Sequence, residues 1–353
     1  MRLADARIGW SSYSPDFSHP GDRRRFAAYA RERGLRYEYA SPSCAHDVAI
    51  ITHASDLPAW IARKRAEGDR LKLIFELIDS YLQDRSPLRR LLKGTARSAL
   101  GTESRLSPDF LRTLKQTCEV ADVVICSTPE QHDDIRRLND KVHVSFDWFG
   151  DELGPAKSNY TREEKLRLVW EGQSTTSRHL QIVREQLNAL ANKVELHLVT
   201  DGRVPRFFGR YGAYDTLSAF KGFRCDVHLH EWERDSFASD IRAADVAILP
   251  IDPNNRFAMG KPENKLVMLW KLGMPVIASA TPAYARAMRG AGLDSICGTP
   301  ADWQEQLEWA LGSPPAELER KAAKGRAFAE QSYGWEEFVR PFDQAFRSIG
   351  FEI

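Results

Sequence analysis

The sequence is poor in cysteine, and the cysteines it has are not paired. The five of them, at positions 44, 118, 126, 225 and 297, are an odd number without a C-x-x-C. That excludes a disulfide framework and fits reduced thiols and no zinc site. Charge of one sign is lacking too. Fifty basic against forty-nine acidic side chains leave a net +1, so no bulk field holds nucleic acid or an anionic membrane, and any anion must be bound locally. No run approaches the ~20 apolar residues of a membrane span. The opening MRLADARIGW has neither a basic n-region nor an apolar h-region, which makes a cytoplasmic location the expectation. No G-x-x-x-x-G-K-[ST] occurs, nor a G-x-G-x-x-G after a strand, which argues against a kinase or a dehydrogenase. Hydrolase readings lack their G-x-S-x-G and H-E-x-x-H.

What is present is an α/β pattern. At 353 residues the chain suits two domains of roughly 150 residues each, with a cleft between them. Short apolar runs alternate with amphipathic stretches, as in parallel strands joined by crossover helices. Strands are expected at 6–10, 37–40, 48–52, 71–78, 123–127 and 142–146, and again at 166–170, 194–199, 227–230, 246–249, 276–278 and 295–297. The segment from His19 to Gly34 reads as the first crossover helix, with Asp22 in its first turn. The polar stretch Gly150–Lys165 reads as the interdomain linker. Domains are thus expected at 1–152 and 165–332. Trp335, Phe338, Phe342 and Phe346 give the final helix an aromatic face to bury.

The strongest local signal is GKPENKLVMLWKLGMPVIASATPAYA from Gly260 to Ala285. Leu266, Leu269, Trp270 and Leu272 form a buried stripe, Gly273 stops the helix, and a β-rich run follows. Lys261, Glu263, Asn264 and Lys265 gather at the helix start. Backbone N–H groups and the helix dipole favour an anion there, and two lysines add point charge for a diphosphate. Open α/β sheets bind ligands at the carboxyl ends of their strands. A capped surface helix with ordinary charges is the competing reading.

The second half resembles the donor domain of the GT-B glycosyltransferases, especially the glycogen-synthase-like superfamily of retaining enzymes. Glu171–Gly172–Gln173–Ser174 resembles the turn that opens that domain. Asp201 follows a strand as in its second unit, and His230–Glu231–Trp232 matches the nucleobase position. Ile241–Pro250 resembles the family's helix-into-strand segment, and Tyr333–Gly334–Trp335–Glu336 the start of its last helix. The likeness runs in order over about residues 166–340. It implies two facing Rossmann-like domains, with the helix of 335–353 crossing back onto the N-terminal one. It further implies a nucleotide-sugar as substrate, no cofactor, and transfer to a hydroxyl of a glycan, lipid-linked or protein acceptor. Gly172, Gln173, Ser174, Arg178, Asp201, Glu231, Trp232, Lys261, Glu263, Asn264 and Lys265 are the donor-binding candidates. Gly260 and Met268 stand where family members often carry glutamates, which leaves Glu263 as the nearby carboxylate.

His53 and Asp79, each after a buried strand, are candidate catalytic residues on the acceptor side. A loop histidine and a helix cap are the alternatives for them. Thr128–His132 reads as a structural strand-to-helix turn. No D-x-D lies between apolar strands, and the adjacent Asp133 and Asp134 point to different helix faces, so no metal is expected in the site. Residues 85–105 carry six basic side chains and one acid, either as a solvated surface or as a peripheral membrane or acceptor contact. Two further functions stay open: a nucleotide-sugar epimerase of the same fold, and an inactive GT-B-like binding or partner protein.

Overall fold

Runs of two to seven residues, apolar in most of them, become the strands of two parallel sheets. The structure, a computed structural model, describes residues 1–14, 17, 19–83, 109–205 and 212–353; the basic segment 85–105 falls outside them. Two compact units result. The first comprises Met1–Trp148, Gly260–Pro262 and Tyr333–Ile353, the second Phe149–Met259 and Glu263–Ser332.

In the first unit β1 (Ile8–Trp10), β2 (Tyr37–Tyr39), β3 (Val48–Thr52), β4 (Lys72–Leu77), β5 (Val123–Cys126) and β6 (Val142–Val144) pair in the order β2-β1-β3-β4-β5-β6, all parallel. β3 and β5 are buried along their whole length, because helices cover both faces of a parallel sheet and near-continuous apolar runs result. In the second unit the strands are β7 (Leu166–Glu171), β8 (Val194–Thr200), β9 (Arg203–Pro205), β10 (Ala213–Asp215), β11 (Asp226–Glu231), β12 (Val246–Leu249), β13 (Val276–Ser279) and β14 (Ile296–Cys297). The order β11-β8-β7-β12-β13-β14 is again parallel. It is the doubly wound order of dinucleotide-binding sheets. β9 and β10 form an antiparallel hairpin between β8 and β11; three-residue strands are too short for periodicity to reveal them. Strand order reverses between β1 and β3, and between β7 and β12, so these are the points where loops diverge and leave a crevice.

The helix Trp335–Ser348 belongs to the first unit. Phe338, Phe342 and Phe346 share one core with Trp10, Phe26, Tyr29 and Ile50. Tyr29 stacks on Phe342 and Phe346 at 5.0 and 5.8 Å and donates its hydroxyl to Asp343 at 2.8 Å. The segment read as a linker packs on the second unit. Lys157 Nζ donates to the carbonyls of Arg242 and Ala244, Tyr160 Oη donates to that of Gly273, and Leu153 and Tyr160 are buried.

The first crossover helix departs from the single helix expected. It is split into Gly21–Arg24 and Phe26–Glu32, with Arg25 between them at φ −126° and ψ −124°. Asp22 is not a solvated dipole partner: its carboxylate accepts from Tyr13 N at 2.5 Å and from the Ser14 hydroxyl at 2.7 Å. It thereby fixes the loop after β1. Among the described residues no helix is long and apolar enough to cross a membrane.

Gly273 ends the helix Asn264–Lys271 at φ 77°, and a Cβ there would lie 2.9 Å from Lys157 N. Gly273→Ala is expected to cost at least the ~1–2 kcal/mol of a left-handed L-residue, plus displacement of the Lys157 backbone. Thermal unfolding checks this, and an unchanged melting temperature would contradict it.

Candidate functional site

In the second unit the chain leaves β7 through Glu171 and Gly172. Lys265, in the first turn of the helix Asn264–Lys271, reaches this strand end. Its Nζ donates to the Glu171 carbonyl at 2.7 Å and pairs with Glu171 Oε2 at 2.9 Å. The ammonium also lies 5.7 Å from the Trp170 ring centre. A Cβ on Gly172 would stand 2.6 Å from Lys265 Nζ, so only glycine lets the lysine approach the strand end this closely. A side chain that is 39% exposed keeps the ammonium open to an incoming anion. It sits at a helix N-terminus, where an anion is already favoured.

Around this point stand the other donor candidates. Ser174 is buried and directs its hydroxyl toward the Arg203 carbonyl at 3.2 Å and Asp201 Oδ2 at 3.4 Å. Glu231 accepts from Gly202 N through both oxygens, at 3.1 and 3.0 Å, so Asp201 and Glu231 share one strand-end turn. Trp232 stacks on Phe237 at 5.3 Å. Gln173 and Arg178 are exposed, and Asn264 opens the helix half-buried. Glu263 is fully buried, where Arg286 pairs with it at 2.8 and 3.3 Å. A cavity of about 230 Å³ lies at the exits of β12, β13 and β14, lined by Ile251, Asp252, Ser279, Cys297, Thr299 and Trp303 among others. Buried His179 accepts through Nδ1 from Asp252 N at 3.0 Å, which holds the β12 exit in place.

Lys261 has a different partner from Lys265. It belongs to the first unit, where its Nζ is 3.9 Å from Asp79 Oδ1. The two lysines read as one cluster are therefore divided between the units.

The strand ends of the first unit bring His53 and Asp79 together with residues that sequence reasoning did not single out. His53 Nε2 is 3.2 Å from the Tyr81 hydroxyl, and the two rings lie 4.9 Å apart. Tyr13 contacts His53 at 5.7 Å and stacks on His19 at 5.2 Å. Burial lowers the pKa of His19 against the opposing fields of Asp22 and Asp79, so it stands neutral at physiological pH. Below this aromatic floor is a buried ion cluster. Arg25, fully enclosed, pairs with Glu76 at 2.7 Å and Asp147 at 3.3 Å and donates to the Ser145 carbonyl at 3.0 Å. It ties the carboxyl ends of β4 and β6 together. Burial raises the Glu76 carboxyl pKa while Arg25 pulls it down; burial and then the Glu76 charge raise the Tyr13 phenol. The available signal was Ser11–Ser12–Tyr13 directly after β1, at the same kind of strand end as His53. Thr128 is a helix cap, its hydroxyl accepting from Gln131 N at 3.0 Å, as the structural reading has it.

No family model matches the sequence, and no curated protein resembles it in sequence. Solved structures do resemble it in fold. Anabaena HepE, solved with UDP and glucose, superposes with a TM-score of 0.65 at 12% identity, over 97% of this chain and 100% of HepE. WaaG, a glycosyltransferase involved in lipopolysaccharide biosynthesis, gives 0.58 at 16% identity, over 97% and 100%. TarM gives 0.59 at 10% identity over 86% of this chain, which spans only 54% of TarM. At such identities the likeness speaks for architecture, and the architecture is that of the GT-B glycosyltransferases: two Rossmann-like parallel sheets, with the last helix returned to the first.

Proposed function

We propose that the protein is a glycosyltransferase whose second unit binds a nucleotide-sugar and whose first unit holds the acceptor hydroxyl. The observation that carries this reading is the Lys265 ammonium at a helix N-terminus, brought against the Gly172 turn at the switch point of a doubly wound sheet. The fold shared with HepE, itself solved with UDP and glucose, supports a uridine diphosphate sugar as donor. The fold shared with WaaG supports a glycan or lipid-linked acceptor.

Sugar transfer breaks the bond between the anomeric carbon and the diphosphate, and negative charge grows on the departing oxygen. Preorganised positive groups aimed at that charge make the largest contribution. Lys265 supplies one, with the N–H groups at the start of its helix. Glu171 holds the ammonium in place until the diphosphate replaces it as partner. Asp201, Glu231 and Trp232 line the turns assigned to ribose and base. Glu263, enclosed with Arg286, serves by fixing the helix start rather than by touching the donor. On the acceptor side neutral His19, with His53, Tyr81 and Asp79, offers hydrogen-bonding partners for a sugar hydroxyl. Lys261 sits beside Asp79. Transfer proceeds with retention, as the resemblance implies, and without Mg²⁺ or Mn²⁺.

Calorimetry with UDP, and a transfer assay with UDP-sugars and no added divalent cation, test this reading. UDP is expected to bind the wild type. Lys265→Ala is expected to weaken it by about 1.5–3 kcal/mol, on the order of 10- to 100-fold, for a lost charge-assisted contact. Equal affinity in the variant would remove Lys265 from the site. A wild type that binds no nucleoside diphosphate would end the proposal.

A further inference from the structure

At the other end of the second sheet, away from the strand exits, the parallel register stacks a second group of polar side chains. β8 and β11 pair with His228 opposite His197 and Asp226 opposite Glu195. Alternation then puts Glu195, His197, His228 and His230 on one face of these two strands. That face is only partly covered: the side chains of Glu195, His197 and His228 are 23%, 18% and 47% exposed.

The distances are those of a coordination shell. Glu195 Oε2 lies 3.1 Å from His228 Nε2 and 3.6 Å from His197 Nε2. One ligand atom from each of the three falls within 4.8 Å of the others. Bonds of about 2.0–2.1 Å in a tetrahedron put neighbouring ligand atoms about 3.3–3.4 Å apart. The hydrogen bonding agrees. His197 Nδ1 is 2.9 Å from His230 Nε2, whereas buried His197 Nε2 meets no hydrogen-bond partner among the described residues. A proton on Nδ1, donated to His230, leaves the Nε2 lone pair directed at Glu195 and His228, and metal-ligating histidines are oriented in this way by a partner on their other nitrogen. Arg167, on the next strand, is engaged by Asp245 at 3.3 Å and Glu163 at 3.2 Å.

We infer that Glu195, His197 and His228 bind a divalent transition-metal cation, zinc by the chemistry of two imidazoles and one carboxylate, with His230 orienting His197 from behind. A solvent molecule completes the tetrahedron. The ion would clamp the edge strand β11 to β8 and so brace the strand that ends at Glu231 and Trp232. It takes no part in sugar transfer, and because it is built from histidine and carboxylate, cysteine spacing could not announce it.

The test is titration of Zn²⁺ alone into the full-length protein stripped by chelator and dialysed, followed by calorimetry and by competition with a chromogenic chelator. One equivalent is expected to bind with sub-micromolar affinity and to raise the melting temperature. His228→Ala and Glu195→Gln, both at partly exposed positions, are each expected to weaken Zn²⁺ by at least the ~10- to 100-fold that loss of an orienting residue alone can cost, with unchanged circular dichroism. UDP affinity should persist in both. A wild type that takes up no Zn²⁺, or one bound equally well by both variants, would overturn the assignment, whatever the outcome of the UDP experiment.

Discussion

A chain ending at Ser332 is expected to lose the folded first unit while keeping the second. The lost helix is part of the first unit's core rather than an appendage on its surface. Phe338, Phe342 and Phe346 are at most 2% exposed and are enclosed by Phe26, Tyr29 and the β1 and β3 side chains. Burying each ring contributes about 1.5–3 kcal/mol, so three of them together match much of the ~5–15 kcal/mol by which a domain is stable at all. Truncation also removes Asp343 from Tyr29 and Arg33. Limited proteolysis and thermal unfolding followed by circular dichroism measure the result. Fragments from residues 1–148 should vanish first, with a resistant core from the second unit. A truncated protein with the melting profile of the full chain would refute the account. Phe342→Ala gives the milder form of the test, at about 3–5 kcal/mol.

The second large effect is expected at Arg25. Its guanidinium is fully buried and is the partner of Glu76 and Asp147. Arg25→Met leaves two enclosed carboxylates facing each other, and removing one partner of a buried pair costs about 3–5 kcal/mol. The deficit should depend on pH with a definite sign. Burial already raises the Glu76 pKa, and without Arg25 the main opposition to that rise is gone, leaving the Tyr13 hydroxyl as the remaining group that lowers it. The native variant then binds more protons than its unfolded chain, so its stability falls as pH rises above the ordinary carboxylate range of about 4.3 and recovers as pH is lowered. The melting temperatures of wild type and variant should therefore converge between about pH 7 and pH 5. Adding Glu76→Leu to Arg25→Met should return part of the loss at neutral pH, because an apolar pair replaces the stranded charge. A variant as stable as wild type at pH 7 would show that the cluster carries little energy.

Much of this molecule could be read from the order of its residues. The buried strands are uninterrupted apolar runs such as VAIIT and VVIC, and no other local structure competes for four or five consecutive β-branched and aliphatic residues bounded by polar loops. The stop at Gly273 and the aromatic face after Trp335 are equally local signals. The site residues of the first unit were harder. Arg23, Arg24 and Arg25 stand in one charged run, and nothing nearby tells which of them pairs with the buried carboxylates. That choice is made by Glu76 and Asp147, at sequence separations of 51 and 122 residues. The same holds for Lys261 and Lys265, neighbours in sequence whose partners, Asp79 and Glu171, lie far from them along the chain. The histidine group on β8 and β11 was half visible: E-L-H at 195–197 and H-L-H at 228–230 each put polar groups on one strand face. Only the register between the strands shows that these faces coincide.

The helix contributed from the far end of the sequence also governs the order in which the protein can be made. Tyr29 and Asp343, joined by a hydrogen bond, are 314 residues apart, and at about 5–20 residues per second the ribosome needs roughly 15–60 s to supply the second after the first. During that interval the second unit has its whole sheet available. The first is left with the face of Phe26 and Tyr29 uncovered, since Phe338, Phe342 and Phe346 are not yet synthesised. Domains emerging from the ribosome generally fold N-terminal first. Here the half translated first is the half completed last, and its nascent chain presents an apolar surface for chaperones to shield until Phe338, Phe342 and Phe346 have emerged.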